Sequence, residues 1–126
     1  MAIPWTKDER NDVEQGIAKH PIESGRCAAL ARVIYKIAKP GDPDTYGVQL
    51  RPQRGARYLV PIEPNVPYWH SHTLVATHDH NVDAVTGADG YHAKEYLERY
   101  WHFHQMLTVE MVDVETIDVG IEDDVS

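Results

Sequence analysis

The sequence predicts a single α+β domain, and three observations carry that prediction. The first third reads as two short helices, each ending at a proline. The middle breaks into short β-branched runs separated by Gly, Pro, Asn and Asp. A third helical pattern follows. At 126 residues the chain can bury one real core, and 42% apolar with 25% charged residues is ordinary for a globular protein.

Thr6-Lys7-Asp8-Glu9 has the form of a capping box, with Thr6 as N-cap and Glu9 three residues on. It predicts a helix to about Lys19, with Val13 and Ile17 as a thin apolar face and Pro21 as the stop. Ser24 is the next N-cap candidate. Gly25, Arg26 and Cys27 then fill the first turn of a helix to about Ala38. Cys27, Leu30 or Ala31, Ile34, and Ile37 or Ala38 share one face at helical spacing. Pro40 to Asp44 turns the chain.

Tyr46–Leu50 and Ala56–Val60 read as strands joined by a turn at Arg51–Gly55. Pro61 to Pro67 holds three prolines and reads as extended loop. Thr73–Thr77 and Asn81–Val85 form a hairpin about the polar stretch Thr77–His80, and Thr86-Gly87 closes it. Ala88-Asp89-Gly90 leads into a helix of roughly His92–Gln105, with Tyr96, Leu97, Tyr100 and Trp101 as its buried stripe and Glu95–Arg99 as an exposed pair. Leu107–Val119 suits one or two strands, and an acidic tail at 120–126 should fray. The core is expected over about 21–119, with no repeat or linker to mark a second domain.

A formal charge of −8 and a pI near 5.4 argue against a nucleic-acid partner. No apolar run approaches a membrane span, so no membrane partner is expected. The charged start lacks a signal-peptide core. The expected location is the cytoplasm, or outside the cell after export without a cleavable signal. One cysteine excludes an internal disulfide.

The hairpin carries the chemistry. A turn centred between Thr77 and His78 would set His72 opposite Asp83, with Cβ atoms roughly 5 Å apart. A turn centred on Asp79-His80 would set Asp83 against Ala76 and leave His72 roughly 13 Å away. A His-Asp pair needs a nucleophile. Cys27 alone would read as a small core residue, but in a helix first turn it lies near unpaired N–H groups and the positive dipole end, which favour thiolate. Thiolate attacks a carbonyl carbon, imidazole shuttles the proton, and carboxylate fixes the imidazole tautomer. Backbone N–H groups at Cys27 could stabilise the oxyanion.

Ser-Gly-Arg-Cys-Ala-Ala-Leu-Ala-Arg opening a helix, Ser-His-Thr-Leu-Val heading a strand and Val-Asp-Ala-Val-Thr-Gly closing the next resemble the papain-like fold. Within it the chain is most similar to small bacterial papain-fold toxin and protein-glutamine deamidase domains. The resemblance covers about Gly25 to Trp101. It implies a nucleophile-bearing helix packed on a small antiparallel sheet, with Cys27 as nucleophile, His72 as general base and acid, and Asp83 as orienting residue. It implies no cofactor, a protein or peptide substrate and, for a toxin, an inhibitory immunity protein. Papain-like proteases place a glutamine a few residues before the cysteine to complete the oxyanion hole. Gln15 is too distant to match, so the second donor is unassigned. Transglutaminase-like and arylamine N-acetyltransferase enzymes share the Cys, His, Asp order, but this chain is short for either.

Several other residues have two readings each. Arg26, Tyr68 and Trp69 are candidate substrate contacts, and Tyr68 and Trp69 could equally be core. Arg51, Arg54 and Arg57 could hold an anion, although a solvated basic loop is the plainer reading. The chain has eight histidines, six of them in pairs at spacing two: His70/His72, His78/His80 and His102/His104. Only His70/His72 suits a same-face metal site. His78 and His80 are placed in a turn, and His102 and His104 on a helix where spacing two diverges. His20 and His92 read as surface residues, and Asp79 is the weaker alternative acid. The rival to the thiol enzyme is a non-catalytic or metal-binding α+β domain, with Cys27 buried and His70/His72 as a metal pair.

Overall fold

A computed structural model describes residues 3–21, 26–53, 59–62 and 71–117. It is an α+β fold with three α-helices and a five-stranded antiparallel sheet. Helix α1 spans Lys7–Lys19 and opens as its sequence predicts. Thr6 Oγ1 accepts from the Glu9 amide at 3.1 Å, and Glu9 Oε1 accepts from the Thr6 amide at 2.9 Å. Helix α2 spans Cys27–Ala38, so Cys27 is its first residue and Arg26 its N-cap. That corrects the expected cap at Ser24, which lies outside the described residues.

Strand β1 spans Tyr46–Pro52, β2 Val60–Pro61, β3 His72–Thr77, β4 His80–Asp83 and β5 Gly87–His92. Helix α3 covers Ala93–Tyr100, β6 Trp101–His102, and β7 Leu107–Val112 after a 3-10 turn at His104–Met106. The sheet order is β5-β4-β3-β1-β7, and β2 pairs with β6 in a separate ribbon. Arg32 ties the turn after β7 to α2, donating to the carbonyls of Val114 at 2.7 Å and Ile117 at 2.5 Å.

Two apolar layers result. Leu30, Ala31 and Ile34 of α2 and Val13 of α1 pack on Val75 and Val82. On the other sheet face Val48, Leu50, Leu74, Ala76 and Leu107 pack with Tyr96 and Trp101. Alternation along β3 sends neighbouring side chains to opposite layers. Each fully buried aliphatic side chain contributes about 1.5–3 kcal/mol. Among the described residues no helix is long and apolar enough to cross a membrane.

Two expectations are corrected, and a third falls mostly outside the described residues. Of the strand expected at Ala56–Val60, positions 56–58 lie outside them, and Val60–Pro61 pairs with Trp101–His102. Ala88-Asp89-Gly90 is not a lead-in but part of β5, despite poor strand propensity: it lies at the register shift between the Asp83–Gly87 and Asn81–Tyr91 pairs with β4, and Trp5 Nε1 donates to the Ala88 carbonyl at 2.7 Å. The third helix stops at Tyr100 rather than Gln105. Trp101 turns to extended geometry and Phe103 is left-handed, with φ 55°. Pairing with β2 outweighs the helical pattern there. His102 therefore lies on a strand and His104 in a 3-10 turn, not on one helix.

Candidate active site

The turn of the central hairpin is His78-Asp79, both with positive φ (50° and 62°), and Thr77 pairs with His80. This is the mirror-image two-residue turn that suits twisted strands. It is a third register, between the two weighed above. Val75 pairs with Val82, so continuing the ladder would set Leu74, not His72 or Ala76, against Asp83. His72 and Asp83 are then diagonal neighbours on one face, within reach of long side chains. The contact is made: His72 Nε2 lies 2.7 Å from Asp83 Oδ2, both residues 2% exposed. Asp79 lies exposed in the turn. His80 is a correction. It starts β4, is buried, and stacks on His92 with ring centroids 4.8 Å apart.

The Asp83-Ala-Val-Thr86-Gly87 stretch fixes the carboxylate. The Thr86 amide donates to Asp83 Oδ1 at 2.9 Å, and the Asp83 amide donates to Thr86 Oγ1 at 3.1 Å. Gly87 follows at φ +77°, where a side chain would strain the backbone. The second oxygen, Oδ2, takes a short hydrogen bond from the Tyr96 hydroxyl as well as the imidazole. Tyr96 in turn hydrogen-bonds Trp101, whose ring lies 5.2 Å from that of His72. Tyr96, Trp101 and Thr86 thus hold the pair, whereas sequence reasoning used Tyr96 and Trp101 only as an apolar stripe. The signal was there in part: a buried tyrosine hydroxyl needs a partner.

Cys27 arrives from the other side. Its Sγ accepts from the Thr73 amide at 3.4 Å, and the thiol is also a hydrogen-bonding partner of His72. It is half-buried rather than enclosed. Cys27, His72 and Asp83 line one pocket with His20, Thr73 and Leu30 among others. The enclosed space there is only about 10 Å³, room for about one water molecule. Arg26 is the α2 N-cap and makes no side-chain cap bond of its own.

The charges follow. Burial opposes protonation of His72, but its hydrogen bonds with Asp83 as acceptor and then with Cys27, together with their charges, raise its pKa to about 9. Burial would favour the neutral acid at Asp83. Its bonds from His72, Tyr96 and the Thr86 amide outweigh that and hold it below the usual carboxylate range. Burial, then the Asp83 charge, push the Tyr96 phenol well above its ordinary value, so it remains a donor. An ionised carboxylate only accepts, so Nε2 of His72 carries the proton and Nδ1 is the nitrogen left for Cys27.

Of the other candidates, Arg26 is exposed one residue before Cys27. Tyr68, Trp69, His70, Gly25, Arg54 and Arg57 lie outside the described residues. Arg51 is tied to Glu110 at 3.4 Å and to Gln49 Oε1 at 2.8 Å, so it braces β1 and β7. Among the described residues no group of three or more His, Cys, Asp or Glu could hold a metal ion. No family model, no curated protein and no solved structure matches the chain.

Proposed function

We propose that the chain is a cysteine-dependent amide hydrolase of papain-like architecture, acting as a protein-glutamine deamidase in the manner of bacterial toxin and effector domains. The observation that carries this reading is the convergence of Cys27, His72 and Asp83 on one pocket, with the imidazole bonded to the carboxylate at 2.7 Å. Supporting it, the thiol heads helix α2, where the positive dipole end favours thiolate.

Cys27 attacks the carbonyl carbon of a side-chain amide, and the charge that develops on oxygen faces the first-turn N–H groups of α2. Protonated His72 gives its Nδ1 proton to the departing nitrogen, which leaves as ammonia. Neutral His72 then takes a proton from water, which cleaves the thioester to a carboxylic acid and restores the thiol. Asp83 keeps its charge throughout and supports the imidazolium. Arg26, and Tyr68 and Trp69 from the sequence reading, are the proposed substrate contacts. The partners on this reading are a target protein and, for a toxin, an immunity protein that covers the site. The test is ammonia release from glutamine-containing proteins by the wild type and by Cys27→Ala. Release by the wild type alone supports the assignment; equal release from both, or none from either across a broad panel, sinks it.

A further inference from the structure

His20 stands at the end of α1, and it also lines the pocket of Cys27, His72 and Asp83. Its Nδ1 lies 3.0 Å from the Gly16 carbonyl oxygen. A carbonyl only accepts, so Nδ1 must carry the proton. The ring is then fixed on the helix end, and in the neutral imidazole Nε2 is a lone pair directed away from that carbonyl. The other pocket walls are mostly apolar, supplied by Leu30, Ala31, Ile34, Leu74 and Val82. Thr73 presents its backbone N–H to Cys27 Sγ, and Asp83 is filled by its three donors. A neutral His20 therefore adds an acceptor that is not engaged in the Cys27–His72–Asp83 chain.

We infer that His20 is a substrate-binding residue that accepts a hydrogen bond from the N–H of the scissile amide, so that the site selects carboxamides over esters. The inference rests on the thiol mechanism above. A primary amide has two N–H donors on the atom that departs, whereas an ester oxygen has none. Held by His20, the nitrogen is oriented while the S–C bond forms and the C–N bond breaks. His72 supplies the proton, ammonia leaves, and water resolves the thioester. His20 exchanges no proton. A bond of this kind is worth about tenfold in rate.

The experiment compares two probes on the full chain. The ester p-nitrophenyl acetate reports acetylation of Cys27 by mass spectrometry, and benzyloxycarbonyl-Gln-Gly reports ammonia release. His20→Asn keeps an N–H for the Gly16 carbonyl but removes the distal nitrogen. It should slow amide turnover about tenfold and leave Cys27 acetylation unchanged. His20→Gln, whose carbonyl oxygen reaches about as far as Nε2, should restore amide turnover. Equal losses on ester and amide would overturn the inference, because a general stabiliser of the acyl transition state does not distinguish them. Unchanged amide turnover in His20→Asn overturns it alone, leaving the thiol mechanism standing. Failure of the ester to acetylate wild-type Cys27, with no amide turnover, removes that mechanism and this inference together.

Discussion

The two faces of the central sheet solve different problems. The face under α1 and α2 is dry: Leu30, Ile34, Val13, Val75 and Val82 are 2% exposed or less and carry no side-chain polar atom. The face toward α3 buries His72, Asp83 and the Tyr96 hydroxyl just as deeply, in contact with Trp101. On the first face any apolar side chain of the right volume would serve. On the second each polar atom depends on a named partner, and the arrangement brings a charged pair to the end of β3, where Cys27 reaches it from the dry side. Stability can be removed from the first face at Val13, which does not line the pocket, without touching chemistry. The second cannot lose a partner without losing both.

The largest effect should come from Asp83→Asn, which breaks that contrast at its polar end. The amide cannot match the three donors that converge on the carboxylate. Turnover should fall about 10⁴-fold, the size of loss seen when the analogous acid of a serine-protease triad is removed. Thermal stability should also fall, by about 1–3 kcal/mol for donors left unmatched. Kinetics and melting of the purified variant check both; full activity would show that Asp83 is only structural.

Val13→Ala tests the dry face away from the pocket. It should cost about 0.5–3 kcal/mol in urea unfolding while leaving the rate per folded molecule unchanged at temperatures well below melting. A proportionate fall in rate would mean that the α1 packing and the site are not separable.

The pH dependence of stability sharpens the comparison. The folded pKa of His72, about 9, is raised above its unfolded value near 6.5. Its contribution is fully present below about pH 6.5 and is lost as pH rises through about 9. Asp83 is lowered, so its contribution is present above the ordinary carboxylate value near 3.9 and is lost as pH falls below it. Melting should be highest between about pH 4 and 6.5, and His72→Gln should abolish the alkaline decline. A decline that survives the substitution belongs to another group. The smallest effect is remote from both faces: Thr6→Ala, which removes the α1 cap, should cost about 1 kcal/mol and no activity.

Local chemistry was legible in the sequence, and tertiary pairing was not. The Thr6–Glu9 box, a helix bearing Cys27 in its first turn, and the strand headed by His72 each follow from neighbouring residues. The register did not, because His78-Asp79 lacks the Asn-Gly or Asp-Gly that announces a two-residue turn, and both residues still adopt positive φ. Nor did β5 or the end of α3. Asp89 and Gly90 are poor strand formers, and Trp101 extends a helical stripe until pairing with β2 draws it out. The His72–Asp83 proximity was expected as a directly opposed pair and is reached instead on a diagonal. Tyr96 was placed correctly as buried, but a stripe of apolar spacing does not say where a hydroxyl points. His20, read as surface, enters the pocket only because the end of α1 comes back against the start of α2.

The account rests on Cys27 and His72 acting as one unit, and the alkylation rate of Cys27 by iodoacetamide across pH tests that most directly. The folded wild type should label at this one cysteine, and its pH–rate profile should carry a step near pH 9 as the imidazolium loses its proton. His72→Ala should remove the step and slow labelling at neutral pH. A profile identical in the two proteins, or a cysteine that labels only after unfolding, would contradict the account and return Cys27 to the core.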